Sequence, residues 1–317
     1  MTAFATTFQT YQAKGNREDL SDLIDNISPT DTPFYSMLKK KKASATKFEW
    51  QSDSLASAAN NAQIEGDDLA STPQVSPTIR WDNYCQISTK SFTISRTQEI
   101  VDKAGRDSEI AYQKAKKIAE LKRDVEVALL QNTTYNAGAA ATARQTRGLE
   151  GWLATNCSVG AAPGAAPVPA TNTAPVAGVA RAFAESQVKA MSQSCYDQGG
   201  NPTVLLVAPA QKVIASGFAG NSTKNVDLDS GKLMTAINVY ISDFHELKIV
   251  PDRFIRQGTN GVAFLIDPEH AAFRQLDSLK TSPLAKTGDA EKFLMTWEYG
   301  LEVGNEAAHA QIRDLQP

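Results

Sequence analysis

The chain has 317 residues, 42% of them hydrophobic, and a formal net charge of -3. This length is enough to bury one large core or two moderate ones. The acidic balance argues against a protein whose main task is to grip nucleic acid, because that task depends on clustered lysine and arginine. It leaves open a mixed-charge surface that faces DNA.

The cysteines and the apolar runs restrict the compartment. Cys85, Cys157 and Cys195 are far apart, odd in number and without metal-ligand spacing, so reduced, buried thiols are expected. No apolar run approaches the ~18 residues that span a membrane, and the first fifteen residues lack the pattern of a signal peptide. Synthesis and assembly in the cytoplasm, without a membrane partner, are therefore expected.

Residues 15–50 cannot close a core of their own. Residues 20–27 place apolar side chains on one helical face for about two turns, which is too short for an isolated helix in water. Pro29 and Pro33 end that helix. An apolar cluster with nothing local to pack on follows: Phe34, Tyr35, Met37 and Leu38. The segment is interpreted as an arm that docks either on its own domain or on neighbouring subunits.

Four consecutive lysines, Lys39, Lys40, Lys41 and Lys42, are the strongest charge feature of the chain. They fit a solvated turn. They fit equally well an interior-facing arm that touches DNA phosphates, because clustered lysine binds phosphate independently of sequence.

Residues 46–96 predict a protruding two-stranded hairpin. Phe48 and Trp50 mark the first extended stretch, a long polar tip follows, and a second stretch begins at Ile79. In that stretch the apolar residues stand at odd positions up to Ile87 and at even positions from Phe92. This change predicts a bend near residues 88–91. A lone hairpin is barely stable in water, so it needs a partner surface.

The period then changes to that of a helix. Apolar residues form one stripe from residue 107 to about 131, with Asp107 or Ser108 as N-cap. Its basic side chains could form a DNA-facing stripe. A solvated face is favoured, because the pairs Lys116–Glu120 and Lys122–Glu126 have salt-bridge spacing.

The second half of the chain predicts a compact α/β unit. An Ala/Pro-rich loop or flexible insertion is predicted at 160–178, and a Gly/Asn/Ser-rich loop at 217–231. Helices are predicted at 179–196 and just after residue 209. Strands are predicted at 203–209, 237–243, 247–250, 262–266 and, broken at Gly300, at 292–303.

No pattern of enzymatic chemistry is found. The common nucleophile, zinc and phosphate-loop motifs are missing. His245, His270 and His309 each stand alone among carboxylates, which favours capped turns and surface charge over a metal. No catalytic, cofactor or metal residue is therefore predicted, although an α/β enzyme with an unrecognised site remains an alternative.

Two long blocks carry a family resemblance. NREDLSDLIDNISPTDTPFYSML at 16–38 and KFLMTWEYGLEVGNEAAHAQI at 292–312 resemble the N-terminal signature and the closing strand and tail of the SU-ten-type family of tailed-phage major capsid proteins. The resemblance implies the Hong Kong 97-type capsid fold, of α+β class. It implies four parts: an N-terminal arm (1–45), an extended loop (46–90), a peripheral domain with a long spine helix (91–144 and 276–304) and an axial α/β domain (145–275 and 305–317).

The resemblance also implies function and partners. The chain would be a non-enzymatic major capsid protein that assembles in the bacterial cytoplasm into the icosahedral shell around a double-stranded DNA genome. Partners would be other copies in hexamers and pentamers, a portal protein at one vertex, and packaged double-stranded DNA bound nonspecifically. A separate scaffold, or none, is expected, and whether a decoration protein is used stays open. Burial between subunits is expected for Phe34, Tyr35, Met37, Leu38, Phe48 and Trp50. An encapsulin-like nanocompartment shell, which has the same fold, is the closest alternative.

Some shells of this fold are crosslinked through a lysine of the extended loop. This chain has no lysine between Lys47 and Lys90, so we expect no isopeptide bond from the loop. Denaturing electrophoresis with mass spectrometry of mature particles should show only monomers, and a ladder of covalent oligomers would contradict this prediction.

Overall fold

The computed structural model describes residues 31–62, 65–66, 75, 77–103, 105–218 and 238–317. The helix predicted at 20–27, most of the loop at 217–231 and part of the hairpin tip lie outside these residues. The described helices are α1 (Pro33–Met37), α2 (Arg96–Ile100), α3 (Glu109–Gln131), α4 (Leu149–Trp152), α5 (Glu185–Asp197) and α6 (Pro209–Ala215).

Twelve strands are found in the described residues, and they form three sheets. They are β1 (Lys39–Lys42), β2 (Lys47–Ser52), β3 (Ile79–Tyr84), β4 (Gln86–Ser95), β5 (Cys157–Ser158), β6 (Val204–Val207), β7 (Val239–Ile241), β8 (Glu246–Pro251), β9 (Gly261–Ile266), β10 (Ala271–Pro283), β11 (Ala290–Val303) and β12 (Ala310–Leu315).

A four-stranded sheet in the order β1-β10-β11-β4 lies against the long helix α3. Its two central strands are antiparallel, from Ala271 opposite Val303 to Pro283 opposite Phe293. The buried stripe of α3 and the aromatic side chains of β10 and β11 belong to one core. Burial of the apolar stripe of α3 therefore requires this sheet, because the helix cannot bury it alone.

The ends of α3 agree with the prediction. Ser108 is the N-cap, and its Oγ accepts a hydrogen bond from the backbone N–H of Ala111 at 3.2 Å. The predicted ion pairs are wrong. Glu120 pairs with Lys117 at 2.7 Å instead of with Lys116, and Glu126 is completely buried, where it cannot join a solvated pair with Lys122.

The second large sheet has the order β5-β12-β9-β6-β8-β7 and its own core. The predicted apolar strand is β6, a VLLV segment at the centre of this sheet. The helix predicted from residue 179 begins only at Glu185. The preceding residues are extended because Arg181 donates its backbone N–H to Asp314 and accepts from Gln316, a contact that sequence spacing does not reveal.

The predicted hairpin consists of β2 and β3, paired from Lys47 opposite Tyr84 to Ser52 opposite Ile79. The bend predicted near residues 88–91 is wrong, since β4 runs through them without a break. The break in the extended chain lies instead at Cys85, between β3 and β4. The reason is that β4 pairs along its whole length with β11. The chain therefore leaves the hairpin and enters the four-stranded sheet at one residue.

Two further expectations need correction. The Ala/Pro-rich segment is a loop, but it folds back through bridges at Ala165–Val176 and Val168–Thr173, and the Arg147 guanidinium donates to the Pro169 carbonyl at 3.0 Å. It is thus packed on the subunit and is not a free insertion. Strand β10, from Ala271 to Pro283, was not predicted, and the domain boundaries stay a prediction.

Strand β11 is continuous through Gly300, where a break was predicted. A Cβ at this position would lie 2.6 Å from Cε1 of Phe48. The glycine therefore does not interrupt the strand; it makes room for an aromatic ring at the base of the hairpin.

Replacing Gly300 with alanine should lower the free energy of unfolding by ~1–3 kcal/mol, because extra atoms in a filled core force side chains out of place. In a Phe48→Ala background the same substitution should cost much less, since the ring is gone. Urea unfolding of the unassembled subunit measures both. If Gly300→Ala lowered the free energy of unfolding by the same amount in both backgrounds, Gly300 would not be making room for the Phe48 ring.

Candidate assembly surfaces

The arm residues pack on the same chain. Phe34 is completely buried and Leu38 almost so, both in the core under α3. The Tyr35 ring stands edge-on to Phe273 and Trp297, with centroid distances of 5.0 and 5.5 Å. The described part of the arm therefore packs on its own subunit, which was one of the two alternatives, through residues far away in the sequence.

Backbone hydrogen bonds fix the same segment to α3. The N–H groups of Phe34 and Tyr35 donate to Oε1 and Oε2 of Glu126 at 2.7 and 2.8 Å. These amides belong to the first turn of α1, where helical N–H groups have no partner within the helix. One buried carboxyl group thus receives the start of the arm helix.

The base of the hairpin is also anchored on its own subunit. Phe48 is buried beside Ala43 and Cys85, and Trp50 and Trp81 both contact the Trp152 ring, at 5.1 and 5.9 Å between centroids. These contacts supply the partner surface that the hairpin needs at this end.

The described part of the hairpin tip differs from the base. Residues 53–62 are exposed, and Leu55 has 98% of its surface exposed. Val75 and Ile79 are also exposed apolar residues of this region. These three residues were not predicted as contact residues, because their polar surroundings carry no apolar pattern.

The six predicted inter-subunit residues thus separate into two groups. Phe34, Leu38 and Phe48 are buried within the subunit, so their burial contributes to folding, and their contact with a neighbouring subunit stays a prediction. Tyr35, Met37 and Trp50 are only partly buried. For these three, contact with a neighbouring subunit stays a prediction.

The lysine run is a strand, which corrects the interpretation as a turn. Strand β1 pairs in parallel with β10, from Lys39 opposite Ala272 to Lys42 opposite Gln275, at the edge of the sheet. All four side chains are exposed. Lys41 pairs with Glu302 at 2.8 Å and Lys40 lies over the Tyr35 ring. A DNA-facing role of the run stays a prediction.

His245, His309 and Cys85 lie among groups that hold them in the fold. His245 bonds through Nδ1 to Ser192 Oγ at 2.8 Å. His309 is buried and accepts from the Asp267 N–H at 3.1 Å, and burial lowers its pKa to about 4, so the ring is neutral near pH 7. Burial also raises the pKa of the Cys85 thiol to about 11, which keeps it protonated.

Within the described ranges, no group of three or more His, Cys, Asp or Glu side chains is placed to hold a metal ion. No helix in that part of the chain has the length and hydropathy to cross a bilayer.

An arm segment that packs on its own subunit, a hairpin whose base contacts Trp152, and a long helix over a four-stranded sheet beside a second α/β unit are the features expected of a capsid-type subunit. The comparisons with known proteins agree. The profile of the SU10 major capsid protein family matches residues 1–316, and the chain belongs to that family. Its function is that of a phage major capsid protein, as the family resemblance predicted.

The chain is similar to the major capsid protein of Escherichia phage Phieco32, with 29% identity over 96% of this chain and 95% of that protein. Its fold is similar to that in the capsid asymmetric unit of cyanophage A-1(L), with a TM-score of 0.65 and 13% identity over 98% and 99% of the two chains. It also resembles the holo-SrpI encapsulin of Synechococcus elongatus PCC 7942, with a TM-score of 0.55 and 10% identity over 95% and 92%. The predicted Hong Kong 97-type, α+β fold is confirmed.

Proposed function

We propose that this major capsid protein assembles, as hexamers and pentamers of itself, into the icosahedral head shell that encloses the double-stranded DNA of a tailed bacteriophage. The match to a capsid family over residues 1–316 supports this proposal most strongly. Repetition of one heterologous contact around an axis closes a ring, and rings of this kind build a shell. Assembly takes place in the bacterial cytoplasm, and the protein performs no catalysis.

The hairpin tip is the best candidate for the contact between subunits. Its base is rigid on Trp152, whereas residues 53–62 are exposed. A hairpin end of this kind is barely stable by itself, and Leu55 offers apolar surface with no partner among the described residues. We propose that the tip lies on a neighbouring subunit and that Tyr35, Met37 and Trp50 add contacts near the arm. A portal protein at one vertex and separate scaffold and decoration proteins complete the proposed set of partners.

An encapsulin-like shell is the second candidate, because the fold also resembles an encapsulin. The match is lower in TM-score than that to the cyanophage capsid. DNA inside the shell distinguishes a phage head from a nanocompartment, which would contain protein cargo.

Electron microscopy of the native particles and of the purified protein should show closed shells, filled with DNA in virions. Leu55→Asp should abolish or strongly reduce shells while it changes the stability of the subunit by less than ~0.5 kcal/mol, because the side chain is exposed. Leu55→Met, which keeps the apolar character, is the matched control.

The outcomes of this experiment separate the proposals. Shells with protein cargo would favour the encapsulin alternative, and a wild-type protein that forms no shells under any condition would contradict both. Normal shells from Leu55→Asp would contradict only the role of the hairpin tip.

The lysine strand generates a second prediction. Lys39 and Lys42 are exposed and have no ion pair among the described residues. If they bind DNA phosphates, substitution of both with glutamine should reduce the slope of log affinity against log salt by ~0.9 for each phosphate that is no longer neutralised. Fluorescence anisotropy with a DNA duplex and the unassembled subunit measures the slope.

Lys280→Gln with Lys286→Gln is the control for this charge change, because both lysines are exposed and pair with Asp277 and Glu291. A slope that is the same in wild-type protein and in the Lys39/Lys42 variant would rule out the proposed DNA-facing role.

A further inference from the structure

Two buried carboxyl groups meet where three distant parts of the chain converge. Glu126 lies on α3, and Asp252 follows directly after β8 of the second sheet. Both are buried, with 0% and 1% of their surface exposed. The third part is the start of α1, whose Phe34 and Tyr35 amides donate to Glu126. Two acidic side chains without a cation in such a place need an explanation, because buried charges are normally paired.

The hydrogen bonds leave one oxygen unexplained. Asp252 Oδ1 accepts from the Phe254 N–H at 2.8 Å, whereas Oδ2 is buried without any donor among the described residues. The side chains of Glu126 and Asp252 are within hydrogen-bonding reach of each other. Two ionised carboxylates have no proton to donate, so a bond between them requires that one is protonated.

Among the described residues, no salt bridge joins Glu126 or Asp252 to a basic side chain. The basic residues nearest in sequence are partly or fully exposed, as for Lys122, Arg123 and Arg253, or paired elsewhere, as for Arg256 with Glu150. From the arm, α1 presents backbone amides to Glu126 and no basic side chain. From the segment after β8, the facing titratable group is Asp252 itself.

We propose that Glu126 and Asp252 share one proton, and that this proton controls a clasp that holds the arm helix α1 on its own subunit. With the proton present, the pair carries one negative charge, and the two amides of the arm and the shared proton satisfy its oxygens. When the proton is lost, two negative charges are buried side by side. Release of α1 from the subunit then lets water reach them. The proposal concerns one subunit and does not depend on the proposed shell.

The direction of the pH dependence follows from the attached state. Burial first, and then the charge of Asp252, raise the pKa of Glu126 from 4.5 to about 8, against the opposite effect of the two amides. Burial also raises the pKa of Asp252. When the arm is released, water reaches Glu126 and its pKa returns towards its ordinary value. Between the released pKa and about 8, only the attached state binds the extra proton, so attachment weakens as the pH rises through this window and is weakest above about 8.

Hydrogen exchange with mass spectrometry on the full-length protein tests the clasp. Between about pH 6 and pH 10, with labelling times corrected for the intrinsic exchange rate, protection of the Phe34 and Tyr35 amides should fall by up to ~tenfold per pH unit below about 8 and level off above it, because only below that pH does release of the arm also release a proton. Asp252→Asn should remove this fall, since the asparagine amide donates to an ionised Glu126. Strand β6 should remain protected throughout, which reports that the subunit stays folded.

Asp124→Asn is the matched control, because Asp124 lies on the exposed side of the same helix and pairs with Lys90. It should keep the wild-type profile. A wild-type protection that does not change with pH, or an Asp252→Asn profile equal to that of the wild type, would overturn the proposal. Infrared spectroscopy provides a test that does not require the Asp252→Asn variant to fold: the wild type at pH 7 must show a protonated carboxyl band that Glu126→Gln removes, and its absence overturns the shared proton.

Discussion

The buried face of α3 is the constraint on which the rest of this subunit depends. A long amphipathic helix must cover its apolar stripe, and here three different parts of the chain do so. Strands β10 and β11 supply an aromatic layer in which Phe273 and Tyr299 stack at 5.5 Å. The arm adds Phe34, and the second sheet adds Phe264 to the same core. Because one helix holds all three, the arm, the sheet and the second α/β unit are positioned relative to each other by a single packed surface.

Charged groups strengthen the junction between the two sheets. Glu150, completely buried on α4, accepts from Arg313 of β12 at 2.7 Å and from Arg256 at 3.0 Å. Removing one member of such a group leaves an uncompensated buried charge, which is strongly destabilising. The contrast with Glu126 is informative. Glu150 contacts two cations, whereas Glu126 faces another carboxyl group and has no cation paired with it among the described residues.

The hairpin shows how folding and assembly use different residues of one element. Large aromatic side chains fix its base, and Gly300 leaves space for Phe48 there. Residues 53–62 of the tip, in contrast, are exposed. The sequence does not make this distinction for Phe48, because it reports that an aromatic residue must be buried and not which chain buries it.

The sequence by itself determined the elements whose signals are local. The period of α3, its Ser108 cap and the apolar run of β6 depend on neighbours a few residues away, so they were predicted correctly, and two long sequence blocks were sufficient to indicate the family. Only the tertiary structure decided the rest: that residues 179–184 are extended against Asp314, that β11 passes through Gly300 unbroken, and that Glu126 faces Asp252 instead of pairing with Lys122. Each of these depends on a partner in a distant part of the chain, and no spacing along the sequence encodes that contact.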